Sequence, residues 1–498
     1  MNPTMLHEAL FAAALGVVGA AALRIGLAQL GASLTVLFSG IVGVLVVTAT
    51  TVASVSLGAP SSAVKVFVVG AGLLIVFFAI EWRRSALKEG VFTVSIAGLV
   101  NAVVSTALGV LVAPVLTYDS WRFLEHAISA FDDPSSVQAL IQGAFGSYPV
   151  VLVSIEGLAI DTGMPFAVSS LAGISVLALS GAFDVIARPL HGSKRALRVL
   201  AIVAMVTTVA ASSYMTRVQL GYVNSHALVA SLYALGATAI FASGTSLATT
   251  SEATEKIRAV LLGIACVGVA LARVEGLLVA ALLLTVGTSY RGWSRSSLAV
   301  LSSVSFILPA IWYLRLMTAG ASTDILSPPR IAVLLTAAAA PLIIAFLRKP
   351  DHPVPTLNAA VLVILSSALF AIGWENPSGL GSSVIALGTN LAFTGIWGAT
   401  WWVVIPMAVL SVARLEDNQA RSGWLVLTFG FVFLVLILGG ARELPYRIGW
   451  GDSGNRMMVH VLPTFFLLMT SGFSHKHQES RSWRRDRSTR QGTPTATE

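Results

Sequence analysis

The sequence predicts an all-α fold, a polytopic transmembrane helical bundle of about 13–15 spans with a long extracytoplasmic loop carrying amphipathic helices. Three observations predict it. Of 498 residues, 56% are hydrophobic and 11% charged, where a soluble domain carries about 25% charged residues. Mean hydropathy is +0.83. Apolar runs approaching the roughly 20 residues that cross a bilayer recur along the whole chain. The 31 basic and 23 acidic side chains are too few to solvate a globular surface of this size, which excludes a soluble enzyme or a disordered scaffold. Cys266, the single cysteine, lies in an apolar run, so there is no internal disulfide and no cysteine metal cluster.

Taken in order, spans are expected near 8–23, 32–58, 62–80, 91–115, 166–188, 199–213, 223–247, 259–271, 276–288, 297–317, 330–347, 356–373, 396–413, 424–439 and 457–474. The intervening loops alternate in charge. One set holds 22 basic and 11 acidic residues, a net +11; the other holds 9 and 12, a net −3. Short basic loops stay cytoplasmic, which puts the N-terminus outside and gives a multi-pass protein of the plasma membrane. The formal charge of +8 is then a topology signal and does not point to nucleic acid. Residues 1–90 form N-terminal helices of unassigned role, 91–290 a core that includes outer loop 116–165, and 291–474 the C-terminal helices with outer loops 374–395 and 440–456. Residues 475–498 read as a basic, disordered cytoplasmic tail, either a topology signal or an anchor for anionic lipid.

The outer loops hold the chemistry-bearing residues. In Tyr118-Asp119-Ser120-Trp121-Arg122-Phe123-Leu124-Glu125-His126 and onward, Trp121, Leu124, Ile128 and Phe131 recur at helical spacing, with Asp119, Arg122 and His126 opposite. An amphipathic helix on the outer leaflet fits this pattern. Asp119 at its start suits either an N-cap or a general base for an acceptor hydroxyl.

The turn Ala272-Arg273-Val274-Glu275-Gly276 lies between two basic loops about thirty residues apart. Its flanking helices are expected to be short, leaving the turn below the outer surface. A charge pair at depth is a functional candidate: Arg273 could clamp a phosphate, or the pair could only join helices. Before the last span, Gly451-Asp452-Ser453-Gly454-Asn455-Arg456 places a cap at Asp452 to Asn455 and a cation in the first turn. An arginine against the helix dipole makes sense where both meet an anion. In 374–395 and the following Trp397, Trp401 and Trp402, a membrane belt and a sugar-stacking surface both fit. No Walker lysine, H-E-x-x-H, Cys/His metal spacing or G-x-S-x-G occurs.

This order of features resembles the GT-C superfamily, multi-spanning glycosyltransferases that use polyprenyl-phosphate sugars. Tyr118-Asp119-Ser120 matches the acidic residue that opens the family's first large extracytoplasmic loop, and Ser147-Tyr148-Pro149 resembles the close of that loop. Ala272-Arg273-Val274-Glu275-Gly276 is similar to the family's basic turn between short helices, with Val274 for the frequent proline and Ala272 for threonine. The stretch through Arg456 resembles the last loop entering its helix.

The resemblance implies an inverting transfer with Asp119 as catalytic base and a polyprenyl-phosphate sugar as donor. The acceptor would be a cell-envelope glycan, a glycolipid or a protein. Arg273 and Arg456 would bind the donor phosphate, and Tyr118, Arg122, Glu125, His126, Glu275, Asp452 and Asn455 would orient substrates. No nucleotide cofactor is implied. A divalent metal occurs in some members, and Asp119 with Asp132 or Asp133 is the nearest ligand set. The alternatives are a transporter or flippase for a lipid-linked substrate and a polymerase or ligase using a diphosphate-linked donor.

Overall fold

The computed structural model describes residues 3–474 except 113, 133–149, 165, 189–202, 206, 209–210, 212, 243–246, 248–250, 274, 291–292, 320–327, 348–355 and 443. The described residues are helical throughout, with no strand beyond one isolated β-bridge. In chain order the principal helices are α1 (Pro3–Gly26), α2 (Ala32–Ser56), α3 (Ala63–Arg83), α4 (Leu87–Leu111), α5 (Tyr118–Asp132), α6 (Val150–Asp161), α7 (Val168–Ala187), α8 (Tyr214–Gly221), α9 (His226–Phe241) and α10 (Ser251–Ala272). They continue as α11 (Gly276–Tyr290), α12 (Arg295–Thr318), α13 (Pro328–Leu347), α14 (Thr356–Glu375), α15 (Pro377–Thr389), α16 (Thr400–Arg414), α17 (Asn418–Leu425), α18 (Phe431–Gly440) and α19 (Ser453–Ser474). Two π-helical turns, Asn390–Thr394 and Val426–Gly430, extend α15 and join α17 to α18.

Nine helices among the described residues are long and apolar enough to cross a bilayer, and four shorter apolar ones occupy further expected spans. The expected span at 199–213 lies largely outside the described residues, as do Ser147-Tyr148-Pro149, Asp133 and the tail. Burial separates two kinds of helix. Only 11% of the apolar window of α3 and 6% of that of α14 is buried within the protein, against 78% for α2 and 83% for α19. Phe67, Ile75, Phe78 and Phe370 therefore point outward, to where lipid tails would lie. The core is built on α2, α7, α9, α10 and α19, with α9 packed against α7, α10 and α19.

Helices in lipid gain little from apolar contact alone, so small residues and buried polar bonds set their approach. A Cβ on Gly19 would meet the Ser39 carbonyl oxygen of α2, which is how α1 and α2 come into backbone contact. At one end of α1, Glu8 accepts bonds from the Ser169 amide (2.9 Å) and hydroxyl at the start of α7. At the other end, buried Arg24 pairs with buried Glu81 at 2.7 Å.

Within 116–165, Val150–Asp161 form α6, buried from Val150 to Ala159, with α5 packed over it where Gly157 faces the Phe131 ring. Two sequence expectations are corrected. Stretch 374–395 is almost entirely helical, because Asn376 caps a new helix by accepting from the Gly379 amide at 3.0 Å, with Pro377 next in line. Helix α10 is 22 residues long; Glu252, Glu255, Lys256 and Arg258 are helical, so its charged start extends the short span expected at 259–271.

Candidate functional site

The segment Tyr222 to Ser225, between α8 and α9, organises the site. A parallel bridge joins Tyr222 to Val115, with the Val115 amide donating to the Gly221 carbonyl at 2.7 Å. The bridge fixes the entry to α5, so that Asp119, in its first turn, faces the Tyr222 hydroxyl. From the opposite side comes α19. Its N-terminus is closed by Asp452, whose Oδ2 accepts from the amides of Gly454 (2.9 Å) and Asn455 (3.3 Å). Asn455 is fully buried; its Oδ1 accepts from the Trp397 indole at 2.5 Å, and its Nδ2 donates to the Gly395 and Trp450 carbonyls. These bonds fix the helix start, and Arg456 projects from it.

Arg456 Nη1 lies 3.2 Å from Asp119 Oδ2 and 2.9 Å from the Tyr222 hydroxyl. Its guanidinium also sits 5.7 Å from the Tyr222 ring centroid, in the range of a cation–π contact. The Tyr222 hydroxyl donates to Asp119 Oδ2 at 3.4 Å and pairs with Thr117 Oγ1 at 2.6 Å. Since a phenol has one proton, Thr117 donates and Tyr222 accepts. Burial pushes the Tyr222 phenol above its ordinary pKa of 10, although Arg456 and Thr117 pull the other way, so it stays a donor at neutral pH. Asp119 is 29% and Arg456 15% exposed, which leaves the cluster reachable. Both bonds to Asp119 fall on Oδ2; Oδ1 makes none among the described residues.

The second predicted feature is the turn between α10 and α11. Arg273 Nε donates to Glu275 Oε1 at 3.0 Å, with Glu275 buried and Arg273 20% exposed. The turn is tight because a Cβ on Gly276 would overlap the Val269 carbonyl oxygen, so only glycine lets the chain double back here. Glu156 accepts from the Ala167 amide at 3.0 Å at the start of α7. The Ser225 hydroxyl donates to the Ala272 carbonyl at 2.9 Å, tying this turn to the start of α9.

The other predicted residues are placed differently. Arg122 and Glu125 pair with each other at 3.7 Å along α5, and Glu125 is 66% exposed. His126 lies on the buried face of α5 with Phe123, Leu124 and Ala127, while Trp121 and Ile128 are exposed, so the helix is turned from the face its spacing suggested. Burial, then Arg122, pushes the His126 imidazole down to about 4. The Tyr118 side chain lies outside what is described.

A metal does not fit the described surroundings of Asp119, whose neighbours are a guanidinium and a phenol. Among the described residues no group of three or more potential ligands gathers, and Asp132 is exposed at the far end of α5.

Sequence reasoning missed Tyr222, Thr117, His226 and His460. The two histidines are buried and hydrogen-bonded, Nδ1 of His226 to Nε2 of His460, at 2.7 Å. Each is an ionisable residue in the first turns of a largely apolar helix, a signal in itself, but nothing in the sequence pairs them.

No protein-family model and no curated protein matches the chain. Two solved structures are similar. One is the Archaeoglobus fulgidus oligosaccharyltransferase tethered to an acceptor peptide containing the NVT sequon, at 15% identity and a TM-score of 0.43, covering 84% of this chain and 52% of that one. The other is the archaeal oligosaccharyltransferase AglB from Archaeoglobus fulgidus in complex with an inhibitory peptide and a dolichol-phosphate, at 15% identity and a TM-score of 0.41, covering 80% and 52%. The chain spans about half the length of each.

Proposed function

We propose that this protein is an integral membrane glycosyltransferase that moves a sugar from a polyprenyl-phosphate donor to an extracytoplasmic acceptor, a cell-envelope glycan, a glycolipid or a protein, with Asp119 as general base. The observation that carries the reading is the contact of Asp119 with Arg456 and Tyr222, which unites a carboxylate, a cation and a phenol from distant parts of the chain at a partly open site. Group transfer without a nucleotide needs these parts: a base for the acceptor proton and cations for the departing phosphate.

In the proposed reaction the acceptor proton passes to Asp119 Oδ1 as the acceptor atom attacks the anomeric carbon. The bond from that carbon to the donor phosphate oxygen breaks, and its electron pair leaves with polyprenyl phosphate. Arg456, with Arg273 nearby, stabilises the charge that develops on that oxygen. Attack opposite the leaving group inverts the anomeric centre. The charge bias of the loops supports a site on the outer face.

The test is to incubate membranes containing the protein with labelled polyprenyl-phosphate sugars and identify products by mass spectrometry. The wild type is expected to yield a new glycosidic product, and Asp119→Asn to insert normally while losing about 10²–10⁴ of the rate, the usual contribution of a general base. Undiminished transfer by Asp119→Asn would remove the proposed base. Movement of the lipid substrate across liposomes with no new bond would replace the reading with transport.

A further inference from the structure

Tyr222 and His226 are four residues apart, as are Arg456 and His460, and they meet as two rungs. Arg456 donates to Tyr222 at 2.9 Å, and His460 bonds His226 at 2.7 Å, the imidazoles stacked with centroids 4.8 Å apart. His460 is fully buried and Nδ1 has no hydrogen-bond partner among the described residues, so its bond to His226 is the polar contact that holds it there. His226 opens α9, its amide donating to Asn224 Oδ1 at 2.9 Å, and the preceding Ser225 bonds the Ala272 carbonyl. A continuous path of bonds thus runs from Arg456 through one turn of α19 to His460, across to His226, and through Ser225 to the residue before Arg273.

We infer that the His226–His460 contact is a positioning pair that holds Arg273 and Arg456 as one anion-binding unit for a lipid monophosphate. The inference rests on the proposed donor class. It follows from how the two arginines are mounted: Arg273 sits on a turn between α10 and α11 and Arg456 on α19, so phosphate oxygens shared between them need the two supports at a fixed separation. A bidentate cation loses most of its advantage when misplaced by about an ångström. The bonded, stacked imidazoles join α9 to α19 by a short polar contact.

The experiment is binding of farnesyl phosphate, a short-chain polyprenyl monophosphate, to the purified full chain in detergent. In the wild type, Arg273→Ala and Arg456→Ala are each expected to weaken binding at least fivefold, with a combined effect far from the product of the two, as for groups that act together. In a His460→Phe background, which keeps a ring in the stack, the same two effects should multiply; His226→Phe makes the same test from the other side. His460→Gln, which retains a donor, should keep the coupling. Helical circular dichroism and a single monodisperse species establish folding, which alone does not predict a change in coupling. Coupling that persists in both phenylalanine variants, or that is lost equally in His460→Gln, overturns the positioning pair and leaves the proposed function standing. Failure of the wild type to bind farnesyl phosphate overturns the proposed donor, and this inference with it.

Discussion

Asp119 Oδ2 and Arg456 Nη1, 337 residues apart in sequence, form an ion pair of 3.2 Å. A guanidinium held by a carboxylate is less available to phosphate, and a carboxylate oxygen held by a guanidinium is less available to an acceptor. On the proposed function, a lipid phosphate arriving at Arg456 would compete with Asp119 for it and leave the carboxylate free for an acceptor proton. The donor is thereby expected to bind before the acceptor is activated. Asp119→Asn should then bind farnesyl phosphate several-fold more tightly than the wild type while losing transfer, and weakened binding measured by isothermal calorimetry would contradict this competition.

Arg456→Lys tests geometry at constant charge. Arg456 Nη1 contacts Asp119 and Tyr222 at once, and an ammonium on a flexible stem lacks the planar fork. Transfer is expected to fall about a hundredfold in kcat, comparable to losing one preorganised donor; a rate within twofold of wild type would show that charge alone suffices.

Tyr222→Phe removes the hydroxyl between Thr117, Asp119 and Arg456. Loss of one hydrogen bond to charged groups predicts about a tenfold fall in rate. Because burial holds the phenol above its ordinary pKa, Tyr222 is protonated at both pH 6 and pH 9. The ratio of wild-type to variant rates should therefore match at those two values.

His126 gives a pH effect on stability. Its pKa is lowered from 6.5 to about 4 by burial and by Arg122. Below 6.5 the unfolded chain takes up a proton that the folded chain refuses, so the contribution is present above 6.5 and is lost as pH falls towards 4. The thermal transition should drop between pH 6.5 and 4, and by less in His126→Gln.

Arg24→Ala strands Glu81, which is fully buried and held at 2.7 Å. Removing one partner of a buried pair costs about 3–5 kcal/mol, so the variant should unfold at clearly lower temperature or denaturant, and unchanged stability would show that Glu81 finds relief in Arg84, 3.3 Å away.

How far the sequence could be read depends on the range of each signal. Composition and loop charge are summed over many residues, so the helical class and the run of spans were legible. Asp119 and Arg456 stood out because each breaks an apolar pattern at the start of a helix. Their contact was not legible, because it depends on Tyr222, which looks like an ordinary interfacial aromatic until the bridge to Val115 places it. His126 was assigned to a polar face from spacing, and tertiary packing of α5 on α6 turned it inward. At 374–395, polar and aromatic residues suggested a loop, yet the Asn376 cap starts a helix there.

The bond between Asp119 and Arg456 also bears on biogenesis. With 337 positions between them and synthesis at roughly 5–20 residues per second, about twenty seconds to a minute separates their emergence from the ribosome. Until α19 inserts, the α5 carboxylate lacks the Arg456 guanidinium that it meets in the folded protein. On the proposed function, a chain stalled before α19 would sit in the membrane chemically silent.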